Sequence, residues 1–219
     1  MLNKEINLGR EKDQLPLFKN RTTELQRRLK DEGIDVLIMT DADSIYYYSA
    51  YWGDLGLEFG RPTLLVVASG GDVTLITPGS ESLMAEAMSW GYDIAFYSDG
   101  VGTEWRAPLD KALGKNAGSL RIAIERDKIP AVISNHLNQE FSNNLPTNGS
   151  PIIASMRVIK SAEELQMVRQ AGQVAIAMGI AGRDSMAVGV PEYEVSLACI
   201  NAGTRKAAEI LKKEFEESD

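Results

Sequence analysis

The 219-residue sequence predicts an α/β fold on a mixed β-sheet, followed by a purely helical segment. Three observations predict it. Between residues 21 and 155, short apolar runs alternate with stretches of helical periodicity. Two of those runs are joined by Ser69-Gly70-Gly71-Asp72, a tight hairpin sequence, so at least one strand pair is antiparallel. After about Met156 only helical periodicity remains.

Taken in order, residues 1–20 are mixed in charge and predict an arm leading into the first helix, residues 21–32. Leu25 and Leu29 share one face of that helix, and Gly33 stops it. Residues 34–40 are a short apolar run between polar residues, a buried strand. A turn over residues 41–44 follows, with Ser44 capping a short helix through Tyr48. Residues 63–68 and 73–77 are the strands of the hairpin. A helix over residues 81–90 sets Leu83, Ala87 and Trp90 on one side. Residues 93–97 are a strand, 104–113 a helix, 121–125 a strand, 131–141 a helix after Pro130, and 151–155 a last short strand. In the helical segment, Ser161-Ala162-Glu163-Glu164 matches a capping box. Leu165, Val168, Gly172, Ala175 and Ile176 then make an apolar face, and the small residues Ala171, Gly172 and Ala175 predict a close approach of another element. Pro191 suits the first turn of a final helix, residues 193–217, either continuous or broken near Gly203. No later residue covers that apolar face, so the chain reads as the front part of something larger.

Composition excludes several function classes. Hydrophobic residues make up 44% and charged residues 25%, the mix of a folded globular chain rather than a disordered or fibrous one. A net charge of −8 argues against nucleic-acid and membrane-surface binding. The longest apolar stretch, residues 171–182, is too short to span a bilayer, and the N-terminus carries no secretory block, so a cytoplasmic location is expected. The single cysteine, Cys199, forms no intrachain disulfide and reads as a small core residue. Gly100 and Gly102 lack the third glycine and the strand–turn–helix setting of a dinucleotide loop. With one histidine, His136, the chain offers no clustered metal ligands. Asp41 and Asp43 suit a helix start better than a cation site, and Glu192 and Glu194 suit the positive end of a helix dipole. Tyr46, Tyr47, Tyr48, Tyr51 and Trp52 form an aromatic cluster, read first as packing and second as a pocket wall.

Three motifs then carry a resemblance: Ile45-Tyr46-Tyr47-Tyr48-Ser49; Phe59-Gly60-Arg61-Pro62 ahead of a strand; and Met156-Arg157-Val158-Ile159-Lys160-Ser161-Ala162-Glu163-Glu164, followed later by Val190-Pro191-Glu192-Tyr193-Glu194-Val195. Over roughly residues 21–215 the chain resembles the N-terminal region of the creatinase / aminopeptidase P / prolidase family of pita-bread hydrolases, in wording closest to the creatinase type. The resemblance implies an N-terminal arm (residues 1–20), a ribonuclease H-like, mixed-sheet α/β domain (residues 21–155) and the first helices of a catalytic domain (residues 156–219). It implies a cytoplasmic homodimer that hydrolyses a C–N bond in a small or peptidic carboxylate-bearing substrate, with no nucleic-acid or membrane partner. Arg61 would grip the substrate carboxylate across the dimer, and Phe59 would wall the pocket. The family's catalytic residues lie beyond the matched region, so this chain is expected to contain none and to be inert alone. Two divalent ions (Mn, Co or Zn) are implied for the missing catalytic domain in peptidase-type members and none in creatinase-type members. The competing expectation is a standalone, non-catalytic module that acts by dimerisation or association.

Overall fold

The computed structural model describes residues 11–53, 55, 60–89, 92–98 and 100–217. Helix α1 (Glu11–Asp31) leads into strand β1 (Val36–Met39) and helix α2 (Ala42–Ser49). Strands β2 (Leu64–Ala68) and β3 (Val73–Pro78) form the expected hairpin, and a 3₁₀ turn (Gly79–Glu81) opens helix α3 (Ser82–Met88). Then come β4 (Asp93–Tyr97), α4 (Arg106–Leu113), a 3₁₀ turn (Ala117–Ser119), β5 (Ile122–Ile124), α5 (Ala131–Glu140), β6 (Thr147–Asn148), α6 (Ser150–Val158), α7 (Ala162–Ser185) and α8 (Glu192–Glu217).

The six strands form one mixed sheet in the order β4-β3-β2-β1-β5-β6. β1 pairs antiparallel with β2 and parallel with β5; Leu37 lies opposite Val67 on one side and Ala123 on the other. The hairpin pair is antiparallel, and both outer pairs, β3 with β4 and β5 with β6, are parallel.

Alternation along the strands splits the core into two layers, because successive side chains point to opposite faces. Leu37, Met39, Leu65, Val67 and Leu75 face Leu25 and Leu29 of α1, Ile45 and Tyr48 of α2, and Ile152 and Ile153 of α6. Val36, Ile38, Leu64, Val66 and Ile76 face Leu109 and Leu113 of α4 and Ile133 and Leu137 of α5. Each fully buried leucine or isoleucine contributes about 1.5–3 kcal/mol of transfer free energy, so these layers are the main support of the sheet.

Several elements differ from expectation for identifiable reasons. Helix α1 begins at Glu11, ten residues before the predicted start, within the stretch read as an arm. Residues 151–155 are helical, not a strand: α6 places Ile152 and Ile153 in the core with Met156 a turn on, and Asn148 Oδ1 accepts the Ser150 N–H at its start. A short apolar run after a proline fits either period, and here tertiary burial selects 3.6. The cap of α2 is Asp41 rather than Ser44; its carboxylate accepts the Ser44 N–H at 3.2 Å. In α3 the residue turned inward is Ala85, while Leu83 is exposed; Trp90 lies outside the described residues.

The chain divides into two compact units, Met1–Arg157 and Val158–Asp219. The second is an antiparallel helix pair. Its α7 carries the capping box: Ser161 Oγ accepts the Glu164 N–H, and Glu164 Oε2 accepts the Ser161 N–H at 2.9 Å. The helices do not meet at Gly172, where an added Cβ would have open space. They meet at Gly182 and Gly203, where a Cβ would lie 2.6 Å from Cys199 Sγ and 2.6 Å from Met178 Cγ. Cys199 is half-buried in that seam. Helix α8 runs through Gly203 unbroken. Among the described residues, no helix is long and apolar enough to cross a membrane.

Candidate functional site

The segment bearing Arg61 enters β2 from Gly60, whose φ of 64° turns the chain into the left-handed region that favours glycine. Arg61 is half-buried, and its N–H donates to Leu55 O at 3.3 Å. Phe59, expected beside it, lies outside the described residues. Pro62 and Thr63 are buried and anchored. The Tyr97 hydroxyl, on β4, donates to Pro62 O at 2.8 Å. Thr63 Oγ1 lies 2.9 Å from Thr77 Oγ1, on β3.

Behind this segment sits a buried polar group built on Glu81. The Tyr51 hydroxyl donates to Glu81 Oε2, and Thr77 Oγ1 donates to the same oxygen at 3.0 Å. Because a hydroxyl carries one proton, Thr77 accepts from Thr63 while it donates to Glu81. Tyr51 and Thr77 are fully buried, Thr63 and Glu81 nearly so. Burial first, and then the hydrogen bond to Glu81, push the Tyr51 phenol above its ordinary pKa, so it stays protonated and a donor. Gly53 lies against the group; a Cβ there would come 2.5 Å from the Tyr51 hydroxyl and 2.9 Å from Glu81 Oε2.

A second polar group lies where the chain leaves β1 and β5. Ser44 Oγ donates to Glu125 Oε1 at 2.6 Å and accepts from Arg157 Nη1 at 3.3 Å, while Lys128 Nζ stands 3.7 Å from Asp41 Oδ1. Glu125 is only 5% exposed, and burial raises its pKa against the opposing pull of the Ser44 hydrogen bond. Asp41 is thus a helix cap with a neighbouring lysine. Among the described residues, no group of three or more His, Cys, Asp or Glu side chains converges to hold a metal ion. The divalent ions of a peptidase-type site therefore find no ligand set in the residues described.

The other sequence-predicted residues mostly pack or sit at helix starts. Tyr47, Tyr48 and Tyr51 are buried, with the Tyr46 ring edge-on to the exposed Trp52 at 6.3 Å between centroids. His136 is buried edge-on against Trp105, and desolvation lowers its pKa, which keeps it neutral. Glu192 and Glu194 lie in the first turn of α8. Arg61 is thus the site residue the structure brings to an anchored segment. Sequence reasoning names Tyr51 only as part of the aromatic cluster and passes over Thr77 and Glu81; the one signal for them is a glutamate immediately after Pro78-Gly79-Ser80, at a strand's end.

A model of the creatinase/prolidase N-terminal domain matches residues 21–159. Creatinase from Bacillus sp. strain B-0618 is 27% identical over 189 residues, covering 86% of this chain and 45% of that protein. An Xaa-Pro dipeptidase from Lactobacillus helveticus is 25% identical over 173 residues, covering 78% of this chain and 46% of that protein. The crystal structure of dipeptidase PepE from Mycobacterium ulcerans superposes with a TM-score of 0.70 at 19% identity, over 88% of this chain and 50% of that one. The chain spans about half the length of the curated relatives it matches.

Proposed function

Because the chain belongs to the creatinase/prolidase N-terminal domain family, we propose that it forms the N-terminal portion of a hydrolase acting on a C–N bond. The substrate is a small carboxylate-bearing molecule, either an amidino compound such as creatine or an Xaa-Pro peptide. In this reading residues 21–155 form the substrate-gripping and dimerising domain, and residues 156–219 begin the catalytic domain. Arg61 of one subunit reaches the active site of the other and holds the substrate carboxylate, with Phe59 as a wall. The chain itself supplies no catalytic residue.

The observation that carries this reading is the position of Arg61. It lies inside the matched region, directly after a left-handed glycine and directly before a segment tied to β3 and β4. A planar guanidinium so held can offer a carboxylate two parallel hydrogen bonds, a geometry that lysine cannot reproduce. The helix pair argues against the standalone module: Val168, Ile176, Ile180, Leu197 and Ile200 are all exposed, an apolar surface uncommon on a free monomer.

The test is Arg61→Lys in the full-length gene product. A lost charge-assisted bidentate contact costs about 1.5–3 kcal/mol. KM for the carboxylate substrate should therefore rise by roughly 10- to 100-fold with kcat little changed. An unchanged KM sinks the proposal.

A further inference from the structure

We propose that Glu81, acting through Tyr51, Thr77 and Thr63, is a positioning residue that clamps both ends of the loop delivering Arg61. The proposal rests on the reading of Arg61 as the carboxylate grip. It goes beyond that reading by assigning the loop's geometry to one buried carboxylate.

Arg61 lies in the chain between two buried residues, Tyr51 and Thr63. The entry to that stretch is tied to Glu81 directly, by the Tyr51 hydroxyl. Its exit is tied to the same Glu81 oxygen through Thr77, which donates to it at 3.0 Å and lies 2.9 Å from Thr63 Oγ1. The Tyr97 hydroxyl holds the exit a second time, at Pro62 O. Gly53 leaves room for this: any side chain there would collide with Tyr51 or Glu81. The group is almost wholly removed from water, and its members are cross-linked, with the Tyr51 hydroxyl also 3.2 Å from Thr77 Oγ1, so entry and exit converge on the same buried oxygens. Glu81 closes the 3₁₀ turn after β3 and precedes α3, so the clamp is mounted on the sheet rather than on the loop. A guanidinium that must meet a carboxylate with two parallel bonds tolerates little displacement, and the clamp holds the chain directly after it, at Pro62 and Thr63, and earlier, at Tyr51.

Two measurements test this with Tyr51→Phe, which deletes one oxygen, and with Tyr97→Phe as a second variant. Glu81→Gln, which keeps an acceptor, is the conservative control. The first measurement is amide hydrogen exchange on the 219-residue chain. Exchange at Arg61 and Thr63 should quicken about tenfold in each Phe variant, beyond any common change at Leu37 and Ala123, and return towards wild type in Glu81→Gln. If Arg61 and Thr63 change no more than Leu37 and Ala123, the clamp is overturned. The second measurement is steady-state kinetics of the full-length product with creatine and with alanyl-proline. Tyr51→Phe should raise KM about tenfold with kcat within about twofold, and should add nothing further in an Arg61→Ala background. If Arg61→Ala raises KM but Tyr51→Phe does not, or if the two effects multiply, the positioning role is overturned. If Arg61→Ala itself leaves KM unchanged, the underlying reading of Arg61 fails instead, whatever the exchange data show.

Discussion

Replacing Asp35 by asparagine tests how the centre of the sheet is tied at its start. Asp35 precedes β1 and Arg121 precedes β5, the parallel pair in the middle of the core. Asp35 Oδ2 accepts the Arg121 backbone N–H at 2.8 Å and Nε at 3.0 Å, while Oδ1 accepts from Nη2 at 2.9 Å. The side-chain hydrogen bonds from Arg121, and then its backbone N–H, lower the Asp35 carboxyl from 3.8 to about 2. Taken at face value that shift corresponds to roughly 2 kcal/mol. The Arg121 side chain is 61% exposed, however, so solvent screening reduces the figure to about 1 kcal/mol. A depressed carboxyl pKa gives stability that is fully present above the unfolded value, near 4, and is lost as pH falls towards about 2. Asp35→Asn should therefore lower unfolding free energy by about 1 kcal/mol at pH 7. The two proteins should converge between pH 4 and pH 2. Urea denaturation followed by circular dichroism at stepped pH is the assay. A difference that stays constant from pH 7 to pH 3 would refute the assignment to the ionised pair.

Two further substitutions probe the backbone. Ala50 ends α2 at φ 63°, left-handed without being glycine, so Ala50→Gly should raise stability by about 0.5–1 kcal/mol in the same assay; a loss would contradict the strain. Gly149 packs where an added Cβ would lie 2.5 Å from Leu37 Cδ1 and 3.3 Å from Ala123 Cβ, so Gly149→Ala should cost about 1–3 kcal/mol by overpacking, and a neutral midpoint would contradict the packing there.

The strands were legible in the sequence as short, mainly apolar runs between polar or turn residues, and β1, β2 and β5, buried on both faces, show this most fully: β1 to β5 all lie within their predicted segments or extend them by one residue. What escaped were elements whose identity is tertiary. Residues 151–155 are too short and too apolar for periodicity to separate strand from helix, and β6 is two polar residues whose only qualification is the β5 edge beside it. The contact points of the helix pair escaped because small residues at Gly172 and Gly182 look alike until the partner helix is placed. The site divides in the same way. Arg61 was marked by the wording of its motif. Tyr51, Thr63, Thr77 and Glu81 are scattered along the chain, and only the hairpin and the turn after β3 bring their oxygens together.

The central claim, that this chain is the substrate-gripping front of a C–N hydrolase, is tested most directly by reading the source gene past the codon for Asp219. The account predicts an open frame roughly as long again as this chain. That frame should encode either a two-aspartate, one-histidine, two-glutamate ligand set or a histidine-centred site. A stop codon immediately after Asp219 would contradict it and leave association through the exposed helix pair as the function to pursue.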